Sequence, residues 1–243
     1  DLIVNQAAFF KKYRSVKPFL INDEPVAEKE RAQSQEERMQ FDDTTNCILC
    51  ASCYSACPVL EDNTAFLGPA AIAQAYLSLD EEDRKRFDPM ITGFNPTDMH
   101  AVNHIRDVLL TYPGVFSGIG EFTIHKEFVS TKISGHAASL SNPALDNILE
   151  FAGEVGLLVI LHNDVDIVYP PRNAKPAYAA QLKYLFKNHP DTTIIWAHTG
   201  LGRVVKPPAN HLDYLHSIAS NPDYSHVYFD ISWDETAKYV VEN

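Results

Sequence analysis

All four cysteines of this 243-residue chain fall between Cys47 and Cys57, in the stretch CILCASCYSACP that Pro58 closes. A disulfide framework ties distant segments together and therefore spreads its cysteines. Here nothing outside one short loop could be tied, so the thiols are expected to be reduced. The spacing is C-x2-C-x2-C-x3-C-P. Thiolates at i, i+3 and i+6 on a tight loop can wrap three corners of one inorganic cluster, while a fourth beyond them points elsewhere. Pro58 ends the loop and removes a backbone donor that would otherwise need a partner. A zinc site would call for two separated C-x2-C pairs, and no second pair exists. Cys47, Cys50, Cys53 and Cys57 therefore read as iron–sulfur ligands.

The formal net charge of -12 leaves no basic surface for phosphate, so nucleic acid is not an expected partner. Hydrophobic residues make up 45% of the chain without any run of 18, so no membrane span is expected. The start, DLIVNQAAFF, lacks a basic region and a cleavage pattern. It is read as a fragment or a processed chain, not as a signal peptide.

The flanks of the cysteine run narrow the reading. DLIVNQAAFFKKYRSVKPFL leads into an expected acidic helix, AEKERAQSQEERMQFDD, and the run continues as VLEDNTAFLGPAAIAQAY. Residues 1–76 resemble the iron–sulfur subunit of succinate dehydrogenase and fumarate reductase, at the start of its C-terminal cluster domain. The resemblance implies an α-helical ferredoxin-like segment. It also implies that Cys47, Cys50 and Cys53 bind a [4Fe-4S] cluster and Cys57 a [3Fe-4S] cluster. Implied partners are a flavoprotein, which supplies electrons that travel on to quinone, and membrane-anchor subunits. The family's second cysteine group and its N-terminal [2Fe-2S] domain have no counterpart in this sequence. Glu61 and Asp62 stand where that family often carries aromatic residues near its quinone.

Beyond residue 76 the pattern changes. Short apolar runs at 89–96, 115–124, 156–164, 192–200 and 226–233 are bounded by Gly, Pro or Asp, as buried parallel strands are. Amphipathic stretches alternate with them, including NPALDNILEFAGEVG with Asn142 as a cap and Pro143 in the first turn. The alternation predicts βα units around a parallel sheet of about five strands. A polar group closes four of the strands in turn: Glu121, His162, His198 and Asp230. Imidazoles and carboxylates from neighbouring strand ends would converge on one ion. His125, Lys126 and Glu127 are expected in a solvated loop or, less favoured, at a substrate mouth. His100 and His104 are expected at the surface of a helix.

At these residues a second resemblance enters. Residues 74–243 resemble the amidohydrolase superfamily of metal-dependent hydrolases, which implies part of a (β/α)8 barrel. Carried over, His162 and His198 are metal ligands, with zinc the expected ion. Glu121 is a ligand or supporting group; Glu121 and Asp230 are the candidate catalytic residues, although Asp230 lies one strand before the position of the superfamily's catalytic Asp. The implied chemistry is activation of water against an amide, ester or lactone, or assistance to decarboxylation, on a small-molecule substrate. The superfamily's His-x-His pair does not occur in this sequence.

The two patterns meet near 71–83, through a helix expected to run across the seam, and the chain is divided into domains 1–76 and 77–243. Three functions follow: an iron–sulfur electron-transfer subunit joined to a hydrolase-like module, a metal-dependent hydrolase or decarboxylase, or a recombined chain with neither activity intact. The expected location is cytoplasmic, peripheral to the inner face of the membrane under the first reading.

Overall fold

The computed structural model describes the chain except residues 1–4, 20–24, 26, 27, 29–31, 40, 41, 56, 58, 59, 61, 62, 78, 80, 128, 131, 134, 135, 203 and 243. Glu61 and Asp62, singled out above, lie outside the described residues. The chain divides into two compact units, Asp1–Phe87 and Asp88–Asn243.

The described elements of the first unit are helical: α1 (Ala7–Ser15), α2 (Gln35–Met39), a 3-10 turn (Asp42–Asn46), α3 (Ser52–Ser55), α4 (Pro69–Leu77) and α5 (Glu81–Arg84). Phe9 of α1 is 3% exposed and meets Tyr54 of α3 edge-on at 5.8 Å. The Lys12 ammonium donates to the carbonyls of Thr64 and Phe66, both at 2.6 Å. The Tyr13 hydroxyl donates to Gln74 of α4 at 3.3 Å. One aromatic contact ties α1 to Tyr54 within the cysteine run, and three long-range hydrogen bonds tie it to the segment after the run.

The expected acidic helix is shorter than its composition implied. Residues 32–34 are not helical, and α2 begins after Ser34. There the Ser34 hydroxyl accepts from the Glu37 N–H at 3.1 Å, and the Glu37 carboxylate accepts from the Ser34 N–H at 2.8 Å. That reciprocal pair is a capping box, which starts a helix rather than continuing one. The helix expected across 71–83 stops at Leu77, before α5.

The second unit is an α/β assembly. Strands β1 (Met90–Ile91), β2 (Gly118–Thr123), β7 (Leu158–His162), β8 (Ile194–Trp196) and β9 (Val227–Phe229) form one sheet in that order, every neighbour parallel. All five fall within the five apolar runs. Helices α6 (Ala101–Thr111), α7 (Pro143–Val155), α8 (Ala179–Asn188) and α9 (His211–Ala219) alternate with the sheet strands, and α10 (Asp234–Glu242) follows β9. Because successive sheet strands are spatial neighbours and parallel, all their C-terminal ends gather along one edge. The core between layers includes Ile105, Ile119, Leu145, Ile148, Val159, Leu161, Leu182, Phe186, Ile194 and Trp196, each fully buried. α7 begins as its sequence predicts. The Asn142 side chain accepts from the Ala144 N–H at 2.9 Å, Pro143 occupies the first turn, and Gly156 closes the helix in the left-handed region.

Two features depart from the strand-and-helix reading. Residues 125–137 carry two small hairpins, β3 (His125–Lys126) with β4 (Val129–Ser130), and β5 (Lys132–Ile133) with β6 (His136–Ala137). The β2–β7 register also slips between Ile119 and Phe122, so that a bulge sits at Gly120 and Glu121. Ile119 and Phe122 then both face the core while Glu121 does not. A bulge of this kind re-aims one side chain without ending the strand.

Candidate metal centre

Each functional side chain stands at the C-terminal end of a sheet strand. Glu121 comes from the β2 bulge, His162 ends β7, His198 follows β8 and Asp230 follows β9. The topology brings the first three together. Glu121 Oε1 lies 2.7 Å from His162 Nδ1 and 3.8 Å from His198 Nε2, and the two imidazole centroids are 5.0 Å apart. Glu121, His162 and His198 each offer one donor atom within 4.8 Å of the others.

Both imidazoles are held from behind. His162 Nε2 lies 3.3 Å from Asp164 Oδ1. His198 Nδ1 lies 3.1 Å from Asp230 Oδ2 and 2.9 Å from the Ser232 hydroxyl. Ser232 donates its hydroxyl proton to Asp230 at 2.6 Å, so its oxygen is free to accept from His198 Nδ1. The network therefore places the His198 proton on Nδ1 and leaves the Nε2 lone pair facing Glu121. Asp230 also accepts from the His198 N–H at 3.1 Å and from the Ser232 N–H at 2.8 Å. It is fully engaged in fixing the His198 turn.

That turn is strained. His198 and Thr199 both have φ of 53°, a left-handed conformation that costs a non-glycine residue about 1–3 kcal/mol. Three contacts hold it: the Asp230 carboxylate on the His198 N–H, the Thr199 hydroxyl donating to the His198 carbonyl at 2.6 Å, and His211 Nε2 donating to the Thr199 carbonyl at 2.9 Å. Trp233 stacks on the His198 ring at 3.9 Å and 7°.

The electrostatics suit a cation. The hydrogen bond with His162, and after it the nearness of the His198 imidazole, hold the Glu121 carboxyl far below the usual carboxylate range. Burial opposes the charged form of His162, but its bonds to Asp164 and Glu121 outweigh that and raise its pKa. Burial likewise opposes the Asp230 anion, yet the Ser232 and His198 hydrogen bonds leave its pKa lowered. Two imidazoles and one carboxylate match the protein donor set of catalytic zinc. Two donors on one tetrahedral zinc stand about 3.3 Å apart. Glu121, His162 and His198 would hold such an ion in place of the proton between Glu121 and His162.

His125, Lys126 and Glu127 are not the solvated loop that was expected. All three are half-buried. The His125 ring stacks on Tyr178 at 4.3 Å and 8°. The Glu127 N–H donates to Asp164 Oδ2, and Glu127 Oε1 accepts from the Val204 N–H at 2.9 Å. Hydrogen bonding to Asp164, two residues beyond His162, draws the segment inward. His100 and His104 are exposed, as expected. Sequence reasoning gave no role to Asp164, Ser232 and Trp233. The polar stretch after each strand was the available signal, but contacts formed by turns have no period to read.

Burial keeps His211 neutral by lowering its pKa, and its bond to the Thr199 carbonyl only partly opposes this. Its Nδ1 is buried without a partner. The unfolded chain takes up this proton first, so the contribution is whole above about pH 6.5 and declines as pH falls toward the lower folded pKa. His211→Gln should flatten the loss of urea midpoint below pH 6.5. An unchanged slope would show that His211 does not carry it.

In the first unit, Cys47, Cys50 and Cys53 are exposed and Cys57 is partly covered. Cys50 donates to the Ser52 hydroxyl at 3.3 Å. In the ionised form the Ser52 hydroxyl turns to donate to the sulfur, and that bond, then one from the Ser52 N–H, lowers the Cys50 pKa toward the thiolate that metals bind. Leu49 and Ala51, on either side, have φ of 56° and 61°. Cys50 and Cys57 line a cavity of about 680 Å³ with Gln6, Phe9 and Tyr54. Among the described residues the thiols are not gathered within reach of one ion. A cubane spreads its thiolates over separate irons, so it makes no such demand.

Comparison with known proteins bears on this unit. The chain is 43% identical over 95 residues to the succinate dehydrogenase iron-sulfur subunit of Coxiella burnetii. Part of this chain is similar to that subunit. The match covers 37% of this chain and 40% of the relative. The corresponding subunit of Paracoccus denitrificans is 36% identical over 107 residues, covering 42% of this chain and 41% of the relative. A mitochondrial subunit from Oryza sativa is 40% identical over 102 residues, covering 39% of this chain and 33% of its own length. The chain thus spans about two fifths of the curated succinate dehydrogenase relatives it matches. No family model matches it. A crystal structure of dihydroorotase from Campylobacter jejuni covers 76% of this chain and 46% of its own, at 17% identity and a TM-score of 0.38. A likeness that slight carries no conclusion. Among the described residues no helix is long and apolar enough to cross a membrane.

Proposed function

We propose that the chain joins an iron–sulfur electron-transfer segment of the succinate dehydrogenase type to a metal-dependent hydrolase-like module, an arc of a (β/α)8 barrel. The observation that carries the first part is the C-x2-C-x2-C-x3-C-P run in a chain of which 95 residues align with such a subunit at 43% identity. Cys47, Cys50 and Cys53 would hold a [4Fe-4S] cluster in a ferredoxin-like helical fold, with Cys57 turned to a [3Fe-4S] cluster. Such clusters, when bound, supply one-electron carriage. The exposed thiol loop and the lowered Cys50 pKa support this ligand role. The partners would be a flavoprotein upstream and membrane-anchor subunits downstream, with electrons leaving toward quinone at the inner face of the membrane. Reconstitution with iron and sulfide under anaerobic conditions tests it. The chain should take up both, and Cys50→Ser should lose the iron–sulfur absorbance; unchanged absorbance in the variant would reject the ligand assignment.

A second activity is favoured by one observation, the convergence of Glu121, His162 and His198. These residues would hold zinc. The ion, when bound, supplies Lewis-acid activation of a water or a carbonyl. Asp164 and Asp230 orient the two imidazoles, and Asp230 serves as a positioning residue because both its oxygens are already engaged. Trp233 shields one face of His198 from water. The reaction class is hydrolysis of an amide, ester or lactone, or decarboxylation, of a small molecule.

A further inference from the structure

We propose that Lys126 anchors a carboxylate of the substrate, so that the second unit acts on molecules carrying an anionic group besides the one that reacts. This rests on the hydrolase-like reading above. Lys126 lies on β3 between two residues whose backbones are pinned. The His125 carbonyl accepts from the Asp164 N–H at 2.8 Å, and the Glu127 N–H donates to the Asp164 carboxylate. The Glu127 carboxylate is fixed in turn by the Val204 N–H. Lys126 is therefore presented from a segment fastened to the residue that orients His162.

Its ammonium lies 5.3 Å from the centroid of the Trp233 ring. That ring stacks on His198, and its centroid is 6.4 Å from that of His162. One indole thus spans the distance between the ammonium and both imidazoles of the candidate metal site. Among the described residues no carboxylate forms an ion pair with it, although Glu121, Asp164 and Asp230 all lie at the same sheet edge. Those three are spent on His162 and His198. A lysine held over an aromatic face keeps its three donors available and has little water to shed. A structural lysine would sit in an ion pair or point to solvent. An ammonium beside a cation-binding cluster is repelled by a bound ion unless an anion lies between, and a substrate carboxylate supplies that charge.

Binding of succinate and of its monomethyl ester to the zinc-loaded chain separates the two claims, since zinc content is measured before either ligand is added. Wild type should hold zinc and bind succinate at least about tenfold more tightly than the monoester, as a charge-assisted contact predicts. Lys126→Gln should keep its zinc and lose that preference, and Lys126→Arg should restore most of it. Equal binding of both ligands by zinc-loaded wild type, or a preference surviving in Lys126→Gln, overturns the anchor while leaving the metal site standing. Wild type that binds no zinc overturns the metal site and the anchor with it.

Discussion

Replacing His198 with alanine is expected to lower zinc affinity by at least about a hundredfold, more than removal of a supporting residue, which typically costs 10–100-fold. The imidazole is one of three donors within 4.8 Å of one another, and it is aimed by Asp230 and Ser232 rather than left to rotate. Asp230→Asn should fall in the lower range. It keeps an oxygen for one donor but cannot serve His198 Nδ1, Ser232 and both backbone N–H groups at once. The two variants can be compared by competition with a metal indicator. Zinc binding equal to wild type in His198→Ala would reject the site. A loss in Asp230→Asn as large as in His198→Ala would move Asp230 from positioning residue to ligand.

Gly120→Val is the second large effect, and it acts through the backbone. Gly120 has φ of 122°, which L side chains rarely adopt, and an added Cβ would run into the Ile160 carbonyl of the neighbouring strand. The substitution must open the β2–β7 joint or flatten the bulge, and either change withdraws Glu121 from the imidazoles. Loss of at least about 3 kcal/mol is expected from strain and overpacking together. Urea unfolding followed by Trp196 and Trp233 fluorescence would measure it. A variant as stable as wild type, with zinc still bound, would mean that the bulge does not set the position of Glu121.

The sheet was legible because its strands are short β-branched runs between Gly, Pro and Asp, as at GLLVILHND and TTIIWAHTG. Asn142 and Pro143 announced α7 because capping is a local matter of one side chain and one N–H. His162 and His198 could be picked out because parallel neighbours put their ends on one edge, whatever the details of the loops. What escaped is made by turns. The two left-handed residues after β8, the stacking of Trp233 on His198 and the capture of residues 125–127 by Asp164 join positions far apart in sequence. No periodicity encodes them. The small hairpins at 125–137 are two-residue strands, too short for any alternation to register. In the first unit the Ser34 and Glu37 pair was visible in SQEE but was submerged in a charged stretch that reads as helix throughout.

The most direct test of the two-module account is metal and acid-labile sulfide analysis of anaerobically purified protein, with Cys50→Ser and His198→Ala measured alongside. Iron with matching sulfide should be present in wild type and His198→Ala and absent from Cys50→Ser. Zinc should show the opposite pattern, kept by Cys50→Ser and lost by His198→Ala. Neither metal in wild type, or metals retained by both variants, would contradict the account.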